Sequence, residues 1–204
     1  MLFFVTSPGL YALYSSYSLL VNTHIMTFSK TIKKATFGML VCSAVFSTSA
    51  FSQAKPQLTD PEIASVAVTA NQVDIGNANV AIARSKDSSV LQFAETMKRD
   101  HQAVIDQAVA LVTKLKVTPK DNAVSQKLLA DAAKTQKMLE SKSGKAFDKA
   151  YIDNEVAYHK AVISVIETVL IPEAQNAELK SLLQKVLPAF HAHLEHAEMI
   201  QKND

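Results

Sequence analysis

Apolar residues recur every three or four positions along four long stretches of the chain, the spacing that puts them on one face of an α-helix. The second stretch is the most regular, with the stripe Val90, Ala94, Met97, His101, Val104, Ala108, Leu111 and Leu115. The other three stripes are Ile63, Ala67, Ala70, Asp74, Asn77 and Ala81; Phe147, Tyr151, Glu155, Tyr158, Val162, Val165 and Val169; and Leu179, Leu182, Val186, Ala189, His193, His196 and Ile200. No stretch alternates with the period of two that is typical of a strand. The pattern therefore predicts an all-α fold.

Start and stop signals divide these stretches into separate helices. Thr-Asp-Pro-Glu at residues 59–62 combines a capping side chain, a proline tolerated in the first turn and acids near the positive end of the helix dipole. Breaks of the kind that end helices fall at residues 118–122, 143–144 and 171–172. A shorter helix is expected at about residues 125–140. Pro188 is expected to bend the last helix, because it removes a backbone donor.

Four amphipathic helices of this length bury their apolar faces best as a bundle. The first two helices are joined by a short connection, as are the last two, so each pair is expected to be antiparallel. The residues from about 117 to 143 are long enough to cross the length of the bundle, and they contain the shorter helix. This order predicts a ferritin-like four-helix bundle with a long crossover containing a short extra helix. A plain up-and-down bundle with an extra helix is the main alternative.

Residues 26–54 are typical of a targeting segment. Residues 26–54 contain a basic start (Lys30, Lys33 and Lys34), an apolar stretch from residue 35 to 46, and a small-x-small pattern at residues 52–54. This order predicts a secretory signal peptide, and its apolar stretch is shorter than the roughly 20 residues that span a bilayer. Residues 1–25 are interpreted as upstream sequence before the true start, Met26, and residues 55–204 as the mature domain. The alternative is a membrane segment at residues 1–21, although Pro8 and three serines interrupt it.

Composition narrows the chemistry of the mature domain. The only cysteine, Cys42, lies in the predicted signal peptide after Val41, which is not the small residue that a lipoprotein signal requires there. Cleavage leaves no thiol, which excludes a disulfide, a thiolate ligand and a cysteine nucleophile. Three of the 21 basic residues precede residue 55 and all 19 acidic residues follow it, so the mature domain has a net charge of −1. That charge argues against nucleic acid as a partner, and no serine triad or phosphate-binding glycine loop is visible.

Polar residues interrupt the four apolar stripes at similar heights. Asp74, His101, Glu155 and the pair His193 and His196 come from four different helices, each near the middle of its helix. At 1.5 Å per residue, they are expected within roughly 10 Å of one level of the bundle. Imidazole nitrogens and carboxylate oxygens that converge on a rigid frame are the ligands that a transition metal requires. The stripes therefore predict a metal site in the core.

Spacing within single helices adds to this set. His159 follows Glu155 by one turn and shares its face, and Asp100 is adjacent to His101. The predicted metal ligands are His101, Glu155, His159, His193 and His196, with Asp74 and Asp100 as auxiliary ligands or as hydrogen-bond partners of the ligands. The candidate ions are Zn, Cu, Fe and Mn.

Two interpretations without a core metal stay open. Buried histidines and carboxylates can satisfy one another by hydrogen bonds, with Tyr151 and Tyr158 as further partners. His191 falls on a different face of the last helix from His193 and is interpreted as a surface residue. His191, His193 and His196 could nevertheless chelate a metal together at the surface.

Four segments carry a resemblance to a known family. They are residues 69–74 (TANQVD), 97–101 (MKRDH), 151–159 (YIDNEVAYH) and 193–197 (HLEHA). Over about residues 60–200, the chain resembles a family of secreted bacterial proteins that has a domain of unknown function and is often labelled predicted outer membrane protein. The resemblance implies a ferritin-like fold and export. It implies little about chemistry, because the family has no settled activity.

The chain departs from true ferritins and di-iron oxidases. Those proteins use a Glu-x-x-His motif on each of two helices, whereas Glu155 and His159 are separated by three residues. No glutamate precedes His101, His193 or His196 by three positions. The di-iron residues cannot be carried over, and iron storage or oxygen activation of the usual kind is not expected.

The sequence thus supports three functional hypotheses. The first is an exported protein of the periplasm, with the outer membrane as a further location, that binds a transition metal in its bundle core and has no membrane span after signal cleavage. The second is a structural or interaction module of the cell envelope without a metal, whose partner is an envelope protein or a second copy of the chain. The third, a redox enzyme, is favoured least.

Overall fold

A computed structural model describes residues 57–203, and all regular structure within that range is helical. The helices are α1 (Asp60–Arg84), α2 (Ser88–Leu115), α3 (Ala123–Glu140), α4 (Gly144–Val165), α5 (Ile171–Glu173) and α6 (Ala177–Asn203). A π-helical segment, Ile166–Leu170, joins α4 to α5. The predicted all-α fold is confirmed, whereas the ferritin-like assignment stays a prediction. The proposed signal peptide, the upstream extension and Cys42 lie outside the described residues.

The ends of the helices follow the local signals. The Glu62 carboxylate accepts a hydrogen bond of 3.0 Å from the backbone N–H of Thr59, where the chain is extended before α1 begins. Asp87 and Asn122 cap α2 and α3 by accepting bonds from the backbone N–H groups in the first turn. Pro188 lies inside α6, and the helix continues past it to Asn203. The third long helix passes through the π-helical segment and α5 and ends at Glu173, one residue after the predicted break at residues 171–172.

Contacts at the helix ends give the direction of each helix. The start of α3 lies beside the start of α1, where Asn122 Nδ2 donates to the carbonyl of Glu62 at 3.1 Å. The end of α3 lies beside the end of α1, where Arg84 donates to the carbonyl of Glu140 at 3.0 Å. Therefore α3 runs parallel to α1 and carries the crossover along the whole bundle. As a result, α2 and α4, the helices before and after the crossover, run in the same direction.

The apolar core divides into two clusters along the bundle axis. The Phe93 cluster contains Ala78, Ala81, Val90, Phe93, Ala94, Met97, Leu139, Phe147, Tyr151, Ile152, Val156, Ala197 and Ile200. The Phe190 cluster contains Ile63, Val66, Ile163, Ile166, Leu170, Ala174, Leu179, Leu183, Val186 and Phe190. In each of α1, α4 and α6, a polar residue separates the part that enters one cluster from the part that enters the other.

Among residues 57–203, no helix combines the length and the apolar character that crossing a membrane requires.

Candidate metal centre

Five polar side chains meet between the two apolar clusters and form what we call the polar layer. They are Asp74 of α1, His101 of α2, Glu155 and His159 of α4, and His193 of α6, and each is at most 6% exposed. The centroids of the three histidine rings lie 5.3–5.6 Å from one another. The sequence thus places ionisable groups where burial is most costly unless they find partners.

His101 is held by a residue one turn before Asp74 on α1. Its Nδ1 lies 2.7 Å from Oδ1 of Asn71, an oxygen that can only accept a hydrogen bond. The Nδ2 of Asn71 donates to the carbonyl of Ala67 at 2.8 Å, and this bond fixes the orientation of the amide. The proton of His101 therefore resides on Nδ1, which leaves the lone pair on Nε2. Nε2 lies 3.4 Å from Asp74 Oδ2.

The other two histidines are oriented in the same manner. His159 Nδ1 donates to the backbone carbonyl of Glu155 at 3.0 Å, and its Nε2 lies 3.8 Å from Asp74 Oδ2. His193 Nε2 lies 3.1 Å from the carboxylate of Asp100, which fixes the proton on that nitrogen and the lone pair on Nδ1. In many metal sites, a hydrogen bond from one ring nitrogen to a carbonyl or carboxylate orients the other nitrogen toward the metal.

Several nitrogen and oxygen atoms of the polar layer are buried and lack hydrogen-bond partners. In the polar layer they are Asp74 Oδ1 and Oδ2, His101 Nε2, Glu155 Oε2, His159 Nε2 and His193 Nδ1. Most buried polar atoms in folded proteins have a partner, and leaving one without a partner costs about 1–3 kcal/mol. All of these atoms have a lone pair available, so a bound cation would satisfy several of them at once.

The histidines are held in the neutral form, the form that binds metal. Burial lowers the pKa of His101 well below its ordinary value, and the nearby rings of His159 and His193 add to the effect. Burial also lowers the pKa of His159, to about 4. The pKa of His193 is lowered by burial, although the carboxylate of Asp100 opposes that shift. All three rings thus offer a lone pair at neutral pH.

The pKa values of the two carboxyl groups of the polar layer, Asp74 and Glu155, are shifted upward. Burial raises the pKa of Asp74 to about 7. Burial raises the pKa of Glu155 well above its ordinary range, and the negative charge of Asp74 raises it further. Without a cation, the pair therefore holds a proton at neutral pH. A metal ion would displace that proton and bind the carboxylates.

The spacing of the groups fits one small cation. His101, His159 and His193 can each offer a ring nitrogen so that the three lie within 4.8 Å of one another. Asp74, Glu155 and His159 can do the same, and the two groups share His159. Two ligands bound at about 2.1 Å in tetrahedral geometry lie about 3.4 Å apart. The 3.4 Å and 3.8 Å distances from Asp74 to His101 and His159 are close to that value.

The remaining predicted residues occupy other positions. Asp100 is one-third exposed and hydrogen-bonds to His193, so it lies where a partner of a ligand would lie. His196 is only partly buried and its ring lies edge-on to Phe93 at 5.3 Å, outside both candidate groups. His191 is at the surface, half exposed and 3.5 Å from the carboxylate of Glu167. Asn71 was absent from the predicted set, although its position three residues before Asp74 indicates a shared face.

Replacing Asn71 by alanine is expected to weaken metal binding by about 10–100-fold, because the ring of His101 loses the acceptor that fixes its tautomer and orientation. Titration of Zn²⁺ in competition with a chelator measures the change. Gln72→Ala on the exposed face of α1 serves as the matched control and should bind Zn²⁺ as the wild type does. Equal affinity in the Asn71 and Gln72 variants would show that Asn71 does not support a ligand.

Comparison with known proteins yields one family match. A family model described as a domain of unknown function (DUF4142) matches residues 46–200. No curated protein matches the chain, and no solved structure matches it.

Proposed function

The chain belongs to the DUF4142 family, whose description assigns no activity, and we propose from the site itself that this is an exported protein that binds one transition-metal ion. His101, His159, His193 and Asp74 are the ligands, and Glu155 is the auxiliary carboxylate. One observation carries the proposal: each histidine donates one N–H to a fixed acceptor and keeps its other nitrogen buried without a partner. A core that only satisfied its own polar groups would pair those nitrogens.

The donor set favours a particular class of ion. Three neutral imidazoles with carboxylate oxygens suit Zn²⁺, Cu²⁺, Fe²⁺ and Mn²⁺, whereas Ca²⁺ and Mg²⁺ prefer sites built from oxygen alone. Among the described residues, 57–203, there is no cysteine that could add a thiolate. Met97, whose thioether sulfur is close to His101 in the sequence, belongs to the apolar Phe93 cluster.

Export is the second part of the proposal. The basic, apolar and small-x-small order of residues 26–54 supports cleavage after Ala54 and location in the periplasm, where a cysteine-free metal site needs no reducing environment. We expect mass spectrometry of the exported protein to give an N-terminus at Lys55 or within a few residues of it. Protein that begins at Met1 or keeps Cys42 would contradict the signal peptide and support the membrane segment at residues 1–21.

Elemental analysis of untagged protein from its own periplasm tests the metal directly. We expect about one equivalent of a single transition metal per chain, retained through gel filtration. The matched sample is the His101→Ala variant purified in the same manner, which should contain far less metal. Wild-type protein without metal, together with no stabilisation by any of the four candidate ions, would overturn the proposal in favour of a structural or interaction module.

A further inference from the structure

Asp100 connects the polar layer to the surface of the protein. Its side chain is one-third exposed, and its Oδ2 accepts a hydrogen bond of 3.1 Å from His193 Nε2. Among residues 57–203, it is the only acid outside the polar layer that hydrogen-bonds to a member of the layer. A cation bound to this carboxylate is therefore separated from the buried ligands by one imidazole ring.

His193 is the member of the polar layer that lies nearest to solvent. It is 6% exposed, whereas the other four members are at most 2% exposed. Its Nε2 faces the carboxylate of Asp100, and its Nδ1 is buried without a partner. One ring thus reaches from the surface to the interior of the layer. Breaking a single hydrogen bond frees that ring, and a cation on Asp100 competes for the oxygen that holds it.

A second path to the layer, past Asn154, is less suited to a cation. Asn154 is partly exposed, and its Nδ2 donates to Glu155 Oε1 at 3.3 Å. The groove beside it is lined by Lys142, Lys149 and one acid, Asp153, which pairs with Lys149 at 2.8 Å. The amide N–H groups and the lysines repel a positive ion, whereas a free carboxylate attracts one and can bind it.

Arg99 occupies the outer side of the Asp100 carboxylate. Its Nε donates to Asp100 Oδ1 at 2.8 Å, and its side chain is 71% exposed. An exposed ion pair of this kind contributes little free energy, so an arriving cation can displace the guanidinium. Until it is displaced, the positive charge of Arg99 opposes the binding of a cation to Asp100.

We propose that a metal ion enters the polar layer between α2 and α6, by binding the Asp100 carboxylate and passing His193, and that Arg99 slows this entry. The inference rests on the proposed metal site and adds the route by which that site exchanges its ion. The ion takes the oxygen that holds His193, the released ring swings aside, and the ion moves to the lone pairs of the layer. The return of His193 to Asp100 then closes the site.

The rate of Zn²⁺ uptake tests the route. Metal-free mature protein is mixed with Zn²⁺ in a stopped-flow instrument with a fluorescent Zn²⁺ indicator, and competition with a chelator gives the dissociation constant. Asp100→Asn removes the charge but keeps an oxygen that accepts from His193, so the association rate constant should fall about tenfold or more. Asp106→Asn, at an exposed position of the same helix, is the matched control and should stay within about twofold of the wild-type rate.

Arg99→Gln provides a test of opposite sign. Removing the guanidinium should speed association by about two- to fivefold, because the Asp100 carboxylate is then free to bind the ion. Lys98→Gln, which removes the same charge from the neighbouring exposed position, should change the rate less.

The outcomes separate the route from the site itself. If Asp100 only oriented His193, its substitution would change the dissociation rate and leave the association rate unaltered. Equal association rates in Asp100→Asn and Asp106→Asn, or slower uptake in Asn154→Leu alone, would overturn the route and leave the metal site intact. Absence of any Zn²⁺ uptake by the wild type would overturn both proposals.

Discussion

Zn²⁺ at a hundredfold excess over its dissociation constant is expected to stabilise the metal-free mature protein by about 2.7 kcal/mol, because it binds the folded state alone. For a domain of this size, that corresponds to a rise in melting temperature of roughly 5–10 °C. His101→Ala and His159→Ala should each abolish the rise, since each removes a ligand from a different helix. Thermal melts with and without Zn²⁺, Cu²⁺, Fe²⁺ or Mn²⁺, one ion at a time, measure the effect.

The rise in melting temperature on adding metal must be measured separately for each variant. Truncating a buried histidine also lowers the stability of the metal-free protein, by about 1–3 kcal/mol, when it leaves a buried polar group without its partner. His191→Ala is the matched control, since this half-exposed histidine lies outside both candidate groups. It should keep the full rise. If the pair His191→Ala with His193→Ala removed binding while His101→Ala kept it, the metal would sit on α6 alone and the polar-layer site would be wrong.

Asp74→Asn is expected to stabilise the metal-free protein at pH 8, even though it removes a proposed metal ligand. The pKa of Asp74 rises from 3.8 in the unfolded chain to about 7 in the folded protein. Between these two values the unfolded chain loses its proton and the folded protein keeps it, so the wild type loses stability as the pH rises through that window. Asparagine carries no such proton and escapes the loss.

The stabilisation by Asp74→Asn should therefore be largest at pH 8 and should shrink as the pH falls from about 7 toward 3.8. The pKa of His159, lowered to about 4, also makes the stability of both proteins fall as the pH drops below 6.5. Urea unfolding in chelator at pH 8, 6 and 5 measures the difference in free energy of unfolding between Asp74→Asn and the wild type. Asp106→Asn, at an exposed position, is the control. A net destabilisation by Asp74→Asn at pH 8 would mean that the Asp74 carboxylate has a stabilising partner in the metal-free state.

Much of the fold was predictable because its determinants are local. The stripes and the capping residues Asp87 and Asn122 specify the long helices within a few residues. The π-helical segment Ile166–Leu170 was not predicted, since the spacing of apolar residues before Pro172 does not distinguish a π-helical turn from an α-helical one. Ile166 and Leu170 of this segment are buried in the Phe190 cluster.

The candidate site was predictable in part for a different reason. Interrupted stripes indicate which residues face the core, and five of the seven predicted ligands lie in the polar layer. His196 does not, because three residues move it about 4.5 Å along the helix from His193, to the level of Phe93. The role of Asn71 depends on which ring nitrogen it contacts across two helices, and a one-dimensional pattern does not contain that information.

The polar layer also determines how the helices can slide against one another. Alanine, valine and leucine stripes are nearly interchangeable from turn to turn, so an entirely apolar bundle of this kind could pack in several alignments that differ by one helical turn, about 5.4 Å. In this protein, any such displacement of α1 or α4 would push Asp74 or Glu155, both fully buried, into the Phe93 or the Phe190 cluster. An isolated carboxyl group among phenylalanine and leucine side chains is too costly to tolerate. The polar layer therefore restricts the helices to a single alignment along the bundle axis, whether or not a metal is bound.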